Sequence, residues 1–246
     1  MSKIILQNIA TSPNDSIDKS QTQATTKDII NEIEDLQDIL IADSSKAILV
    51  ILQGLDASGK DGVSKNVFGK LNPLGLQIAG FKKPTPIEMA HDFLWRVHQQ
   101  VPAKGKIGIF NRSHYEDVLI QKVHHWVDDA TIQNRYKHIN HFEQLLEDTN
   151  TTVLKFYLHT SSENQLERLT ERKENPKKMW KHNDGDWTER EFRTQYIDAY
   201  ETVFEKCSEA APWHIIPADK NWYKEYLIAK KVLETLKNLN LKYPTL

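Results

Sequence analysis

Apolar residues recur along this chain in two alternating patterns, a helical spacing and a short unbroken run. From Asp28 the stretch "DIINEIEDLQDILIA" places Ile29, Ile33, Leu36 and Leu40 on one helical face. "KAILVILQG" follows, too short for a helix and rich in β-branched residues, and it reads as a strand ending at Gly54. The pair of signals then repeats. A helix is expected from Gly59 to about Leu71, ended with help from Pro73, then a strand "LQIAGF", then a helix from Pro86 to Val101 whose proline suits the first turn. "KIGIF", Lys106 to Phe110, is a third strand, with one helix opening near Ser113 and another from Asp128 to Glu147. A strand "TVLKFYL", a helix from Ser161, a strand from Trp213 to Pro217 and a closing helix from Asn221 complete the series. Strands alternating with helices predict an α/β fold, a mainly parallel sheet flanked by helices on both faces.

No repeat or second boundary interrupts this pattern, so residues 28–246 are expected to form one domain. The polar stretch "TSPNDSIDKSQTQATTK" ahead of it, poor in large apolar residues, makes residues 1–27 an expected flexible arm. Lysine and arginine number 32 against 34 aspartates and glutamates, a net charge of −2, so any anion-binding surface must be local and nucleic acid is not an expected partner. Cys207 is the single cysteine, which excludes an intrachain disulfide and offers no cysteine zinc cluster. With no apolar run of the ~18 residues a membrane span needs and no secretory leader, a cytoplasmic protein with no membrane partner is expected.

Four stretches carry candidate chemistry. "GLDASGKDG" fits G-x-x-x-x-G-K at Gly54, Gly59 and Lys60, between a strand and a helix, which is the context a phosphate loop requires. In such a loop the N–H groups of Ala57, Ser58, Gly59, Lys60, Asp61 and Gly62 can converge on phosphate oxygens while Lys60 adds a mobile charge. The position after the lysine holds Asp61, not the Ser or Thr that would ligate magnesium, and Asp56 lies inside the loop instead. Beside bound phosphates a carboxylate calls for a divalent cation, which makes Asp56 a metal-ligand candidate; a role accepting backbone hydrogen bonds in the turn is the alternative.

"FNRSHYEDVL" delivers Asn111, Arg112 and Ser113 to the carboxyl edge of a strand, where open α/β sheets bind ligands. Arg112 can meet charge on a transferring phosphoryl group, and Ser113 can cap the next helix with Glu116 at capping-box spacing. Glu116 and Asp117 serve either the site or the helix dipole. The third stretch, from Ser162 to Trp187, places Arg168 and Arg172 on one helical side; between Glu167 and Lys181 six basic residues face three glutamates. Beside a phosphate loop this reads as a helical basic lid over about residues 166–187, with Arg168, Arg172, Lys178 and Lys181 gripping a polyanion. The fourth offers Lys82 and Lys83 after a strand, and Asp92 with Arg96 as an i,i+4 pair, for nucleotide binding or as a plain salt bridge. The ten histidines show no paired metal spacing.

"GLDASGKDG", "FNRSHYEDVL" and the run around "RKENPKKMWK", in this order, closely resemble the family-2 polyphosphate kinases, which share a thymidylate-kinase-like P-loop kinase fold. The resemblance runs from about Asp28 to the C-terminus. "HDFLWR" with "FNRSHYEDVL" looks most like the subgroup accepting both nucleoside monophosphates and diphosphates. The resemblance implies inorganic polyphosphate as donor, AMP or ADP as acceptor with guanine nucleotides as further candidates, Mg²⁺ with Mn²⁺ as a substitute, and a homo-oligomer of two or four chains. The phosphate loop falls on Gly54 to Gly62, the strand-end motif on Asn111, Arg112 and Ser113, and the lid on Arg168, Arg172 and the lysines near Trp180. Asn111 stands where some members have Asp, which argues against a metal role at that position. The site expected is then Asp56, Lys60, Arg112 and Asp117 at the chemistry, with Asp56 and Asp117 toward the metal and Lys82, Lys83, Asp92, Arg96 and Glu116 toward the nucleotide. An ATP-dependent nucleoside monophosphate kinase and a non-catalytic polyphosphate- or nucleotide-binding module are the competing readings.

Overall fold

The computed structural model describes residues 4–245. In chain order its regular elements are α1 (Lys19–Asp43), β1 (Ala47–Gln53), α2 (Lys60–Phe68), β2 (Leu76–Gly80), α3 (Pro86–Met89), α4 (Trp95–His98), β3 (Ile107–Asn111), α5 (Glu116–Val123), α6 (Asp129–Asp148), β4 (Thr151–His159), α7 (Ser162–Glu174), α8 (Asp184–Glu191), α9 (Arg193–Lys206), β5 (Trp213–Pro217) and α10 (Asn221–Asn238). The five strands form one parallel sheet in the order β2-β3-β1-β4-β5. β1 is its middle strand and every one of its residues is buried. Side chains alternate across a strand, so Ile48, Val50 and Leu52 pack with Ile33 and Leu40 of α1, Val63 and Val67 of α2 and Val232 of α10. Leu49 and Ile51 face the opposite way, toward Val118 of α5, Ile139 of α6 and Val203 of α9. Two helical layers on one sheet explain why the strand reads as an unbroken apolar run.

The first helix begins at Lys19, earlier than the apolar pattern predicts. Asp18 caps it, accepting from the Gln21 N–H at 2.6 Å, and Thr22, Thr25 and Thr26 turn their hydroxyls back onto carbonyls one turn earlier. These polar residues therefore satisfy themselves within a helix that composition alone assigns to an arm. Ahead of it the chain is pinned: Leu6 is buried in the core, its N–H donates to Glu201 Oε1 at 2.8 Å, and the Asp219 N–H donates to Thr11 O at 3.0 Å. Residues 1–3 of the expected arm lie outside the described part. The helix expected over 86–101 is instead two single turns, α3 and α4. Asp92 breaks it by accepting the Leu94 N–H at 2.9 Å, a local turn that competes with the helical ladder.

The strand "TVLKFYL" carries a lysine into the core. Lys155 is fully buried, and its ammonium donates to Glu143 Oε2 (2.5 Å), Tyr115 Oη (2.9 Å) and Cys207 O (2.7 Å). Tyr115 in turn donates to Glu143 Oε1 at 2.7 Å, with His114 Nε2 3.3 Å from the same oxygen. Burial would raise the Glu143 carboxyl, but Lys155 and His114 outweigh it and hold the group below the usual range. Because His114 and Tyr115 directly follow Arg112 and Ser113, this network fixes the loop after β3. Removing one partner strands a buried charge, so Lys155→Met should destabilise the fold by roughly 3–5 kcal/mol, read from urea unfolding midpoints. A loss under about 1 kcal/mol, the size expected of an exposed pair, would contradict the assignment of a buried ion pair.

Candidate active site

At the carboxyl ends of β1 and β3 a cavity of about 770 Å³ opens between the phosphate loop, the β3–α5 loop and the segment joining α7 to α8. Gly54 leaves β1 with φ +147°, where an added Cβ would lie 2.9 Å from Leu158 O, so the strand-to-loop turn admits only glycine. Ala57 and Arg112 are non-glycine residues in the left-handed region, at φ 62° and 64°. Backbone of this kind costs on the order of 1 kcal/mol or more per residue, and of the six non-glycine residues that adopt it among the described residues these two lie on the wall of this cavity.

Lys60 opens α2, and its ammonium donates to Gly54 O at 2.6 Å and Leu55 O at 3.1 Å. Burial, with the neighbouring Arg112 charge, pushes its pKa down to about 8. Arg112 pairs with Asp56 through Nη2 and with Glu116 through Nη1 (3.2 Å). Glu116 holds the guanidinium firmly charged against the opposing effect of burial, and Asp56 adds to this. Asp61 accepts from Asn111 Nδ2 at 2.7 Å and lies 3.6 Å from Lys181 Nζ. Partial burial raises its carboxyl, yet the Asn111 hydrogen bond and Lys181 leave it below the usual range. Arg172 pairs with Asp186 at 2.7 Å across the basic segment. On the other wall Arg96 donates to Lys82 O (2.8 Å) and meets Asp117 Oδ2 (3.4 Å) over the face of Phe81. Burial raises Asp117, opposed by Arg96 and Arg135.

The cavity thus gathers Asp56, Ala57, Gly59, Lys60, Asp61, Lys82, Lys83, Arg96, Arg112, Glu116, Asp117, Arg172 and Lys181 of the residues expected from sequence. Seven cations face five carboxylates there, a positive site on a chain of net charge −2. Other expected residues lie off its wall. Ser113 is fully buried, its Oγ accepting from Gln53 Nε2 (3.1 Å) and the Tyr115 N–H (3.2 Å), and α5 starts at Glu116 with no side-chain cap, so the capping box does not form. Asp92 bonds Leu94 and leaves Arg96 to Asp117. Lys178 pairs with Glu171 on the outer face. Arg168 points behind the loop, donating to the carbonyls of Ala57, Ser58, Ala218 and Asp219. Ser58 is buried and Gly62 sits within the first turn of α2, neither on the cavity wall. Phe81, Trp126, Trp180 and Asp186 line the cavity without having been singled out. Nothing in the sequence marks them: the 60% and 78% exposure of Trp126 and Trp180 is visible only in the fold, and Asp186 lies in the acidic stretch "NDGDW" that follows the basic run.

Among the described residues no three His, Cys, Asp or Glu side chains form a ready-made metal cluster. The acids on the wall are hard oxygen donors, and Asp56 and Asp117 each face an arginine. Such a set fits a cation held by one or two carboxylates plus substrate phosphate oxygens, the manner in which Mg²⁺ is usually bound.

A family described as polyphosphate kinase 2 matches residues 16–244. The chain belongs to the polyphosphate kinase 2 family. The match takes in the part of α1 that precedes Asp28. Among family members, an AMP/ADP-polyphosphate phosphotransferase of Meiothermus ruber is 49% identical over 86% of this chain and 80% of its own length. An ADP-polyphosphate phosphotransferase of Rhodopseudomonas palustris is 38% identical over 87% of this chain and 79% of its own. The crystal structure of polyphosphate kinase 2 from Arthrobacter aurescens TC1 superposes with a TM-score of 0.96 at 39% identity, covering 100% of this chain and 89% of that one. The parallel sheet with a phosphate loop after β1 is accordingly the P-loop kinase fold of a polyphosphate kinase 2. Among the described residues no helix is long and apolar enough to cross a membrane.

Proposed function

We propose that this polyphosphate kinase 2 transfers the terminal phosphoryl group of inorganic polyphosphate to AMP and ADP, reversibly and with a divalent cation, Mg²⁺ or Mn²⁺. The similarity to the AMP/ADP-polyphosphate phosphotransferase carries the reading, and the positive cavity around Lys60 and Arg112 supports it. In the transfer, an oxygen of the nucleotide's terminal phosphate forms a bond to the phosphorus in flight. The bond from that phosphorus to the next phosphate of the chain breaks, and the shortened polyphosphate leaves with the electron pair. Protein catalysis is then positioning and charge neutralisation. Lys60, Arg112, Arg172 and Lys181 spread positive charge over the donor end, while Lys82, Lys83 and Arg96 face the acceptor's phosphates. A bound divalent cation would add charge neutralisation between Asp56, Asp117 and the phosphate oxygens. The exposed indoles of Trp126 and Trp180 suit stacking of the nucleobase.

A cytoplasmic homo-oligomer completes the reading, supported by the exposed apolar side chains Leu74, Ile78, Ile87 and Met89 on and beside the β2 edge. The deciding experiment incubates the protein with Mg²⁺ and polyphosphate, adds AMP, ADP, GMP or GDP separately, and resolves products by chromatography. Phosphorylation with ATP but not with polyphosphate would point to a conventional nucleotide kinase. Binding without turnover would point to a non-catalytic module.

The basic segment has its own test. Arg172→Ala should raise the polyphosphate KM about tenfold, equivalent to ~1.4 kcal/mol, and leave the nucleotide KM near the parent value. The gap between parent and variant should shrink as salt is added, because screening weakens the contact in the parent. Values of both KM within twofold of the parent would make this run a solvated face.

A further inference from the structure

The rear of the phosphate loop is held by two cations from distant parts of the chain. Lys224, on α10, is fully buried, and its ammonium donates to Ser58 O at 3.1 Å and Asn221 Oδ1 at 2.8 Å. Arg168, on α7, donates to the same Ser58 O at 2.9 Å and to Ala57 O at 3.0 Å. Its second nitrogen reaches Ala218 O, Asp219 O and Asn221 Oδ1 at 2.9–3.2 Å, which ties the end of β5 and the start of α10 into the arrangement.

The geometry of the peptide unit gives this a consequence. In a trans peptide the carbonyl of one residue and the N–H of the next point in opposite directions. Holding Ser58 O toward the back of the loop therefore holds the Gly59 N–H toward the front, and Gly59 lines the cavity. Gly59 has φ +98°, and a Cβ placed there would lie 2.1 Å from Lys224 Nζ. Because glycine visits both signs of φ readily, the Ser58–Gly59 peptide is the unit of this loop freest to turn over and offer an oxygen to phosphate. The two cations oppose that inversion.

We propose that Lys224 and Arg168 are positioning residues that lock the Ser58–Gly59 peptide with its N–H toward the donor phosphates. The inference rests on the assignment of this loop to the polyphosphate end of the site. It gives Lys224, which no local motif flags, a role acting through the loop backbone with no substrate contact. The buried environment agrees with a site shaped for this purpose. Burial, then the neighbouring Arg168 charge, pushes the lysine's pKa down to about 7, a cost accepted within reach of a second cation.

The test is Lys224→Met, nearly isosteric and free of buried charge, beside Asn221→Ala, which removes a partner of both cations at the start of a helix. Steady-state kinetics with polyphosphate and ADP are run with calorimetric titration of polyphosphate in the absence of nucleotide and with melting curves. Lys224→Met should raise the polyphosphate KM and calorimetric Kd about tenfold and leave the ADP KM within twofold. Asn221→Ala should move the same quantities in the same direction by a smaller factor. Lys224→Arg, restoring a cationic donor, should recover part of the loss. Polyphosphate KM and Kd within twofold of the parent in both Lys224→Met and Asn221→Ala would overturn the proposal, as would a rise confined to the ADP KM. If Lys224→Met does not fold, the Asn221→Ala result decides alone. The parent's own turnover of ADP with polyphosphate tests the function separately, and the calorimetric arm reads the loop even if that turnover is absent.

Discussion

Lys60→Ala should lower kcat with polyphosphate by several orders of magnitude and leave the melting temperature close to the parent's. The ammonium sits at the first residue of α2, with only the carbonyls of Gly54 and Leu55 as its hydrogen-bond partners. Without it the Leu55 carbonyl keeps the Ser58 N–H as donor, and Arg168 and Lys224 still hold the Ala57 and Ser58 carbonyls from behind. Its charge is free to follow the phosphoryl group, and charge that grows in value during transfer appears in kcat more than in KM. The pH profile carries the same information. With the Lys60 pKa pushed down to about 8, the free enzyme loses this cation as pH rises through that value, so kcat/KM should fall on the alkaline side. A Lys60→Ala variant within tenfold of the parent's kcat would remove the phosphate loop from the chemistry.

Asp56→Asn should be nearly as damaging, for two coupled reasons. The carboxylate faces Arg112 across the loop, and it is among the oxygen donors able to share a divalent cation with substrate phosphates. The amide keeps the shape and removes the charge. Activity should fall by roughly a hundredfold or more, on the order of 3 kcal/mol of transition-state stabilisation, and what remains should require a much higher Mg²⁺ concentration. An unchanged magnesium dependence would assign Asp56 to orienting Arg112 alone. Arg112→Lys separates the two roles further. It keeps the charge but loses the planar fork that reaches Asp56 and Glu116 together, and its magnesium dependence should match the parent's.

The sheet was legible because each strand is short, apolar and bounded by turn residues, and β1 with its phosphate loop carries the strongest signal in the chain. Local chemistry hidden in side chains limited the rest. The threonines of α1 read as loop composition until their hydroxyls are seen bonded one turn back, and Asp92 reads as a helical partner of Arg96 until it takes the Leu94 N–H. Within the site, Lys60, Arg112 and Asp56 were found by position because a strand end delivers them. Arg168 was recognised as basic but not where it points, since its acceptors at Ala57, Ser58, Ala218 and Asp219 become neighbours only when β4 and β5 line up beside β1. Spacing along a helix specifies a face, and only packing specifies what that face meets. Lys155 shows the same limit, being one residue inside an apolar run whose compensating Glu143 lies on α6.

The packing of the first helix on the last bears on how the chain is made. Ile30, Ile33 and Leu40 of α1 share one apolar cluster with Ile228, Val232 and Leu236 of α10, and Glu32 meets Lys237 across the same contact. A ribosome adding ~5–20 residues per second needs on the order of ten to thirty seconds to extend the chain from the end of α2 to the end of α10. Throughout that interval the emerging polypeptide displays an amphipathic helix whose sticky side still lacks its partner, and a phosphate loop without its rear support. The nascent protein should therefore be a client for chaperones that shield exposed apolar helices, and it should gain activity abruptly near the close of synthesis.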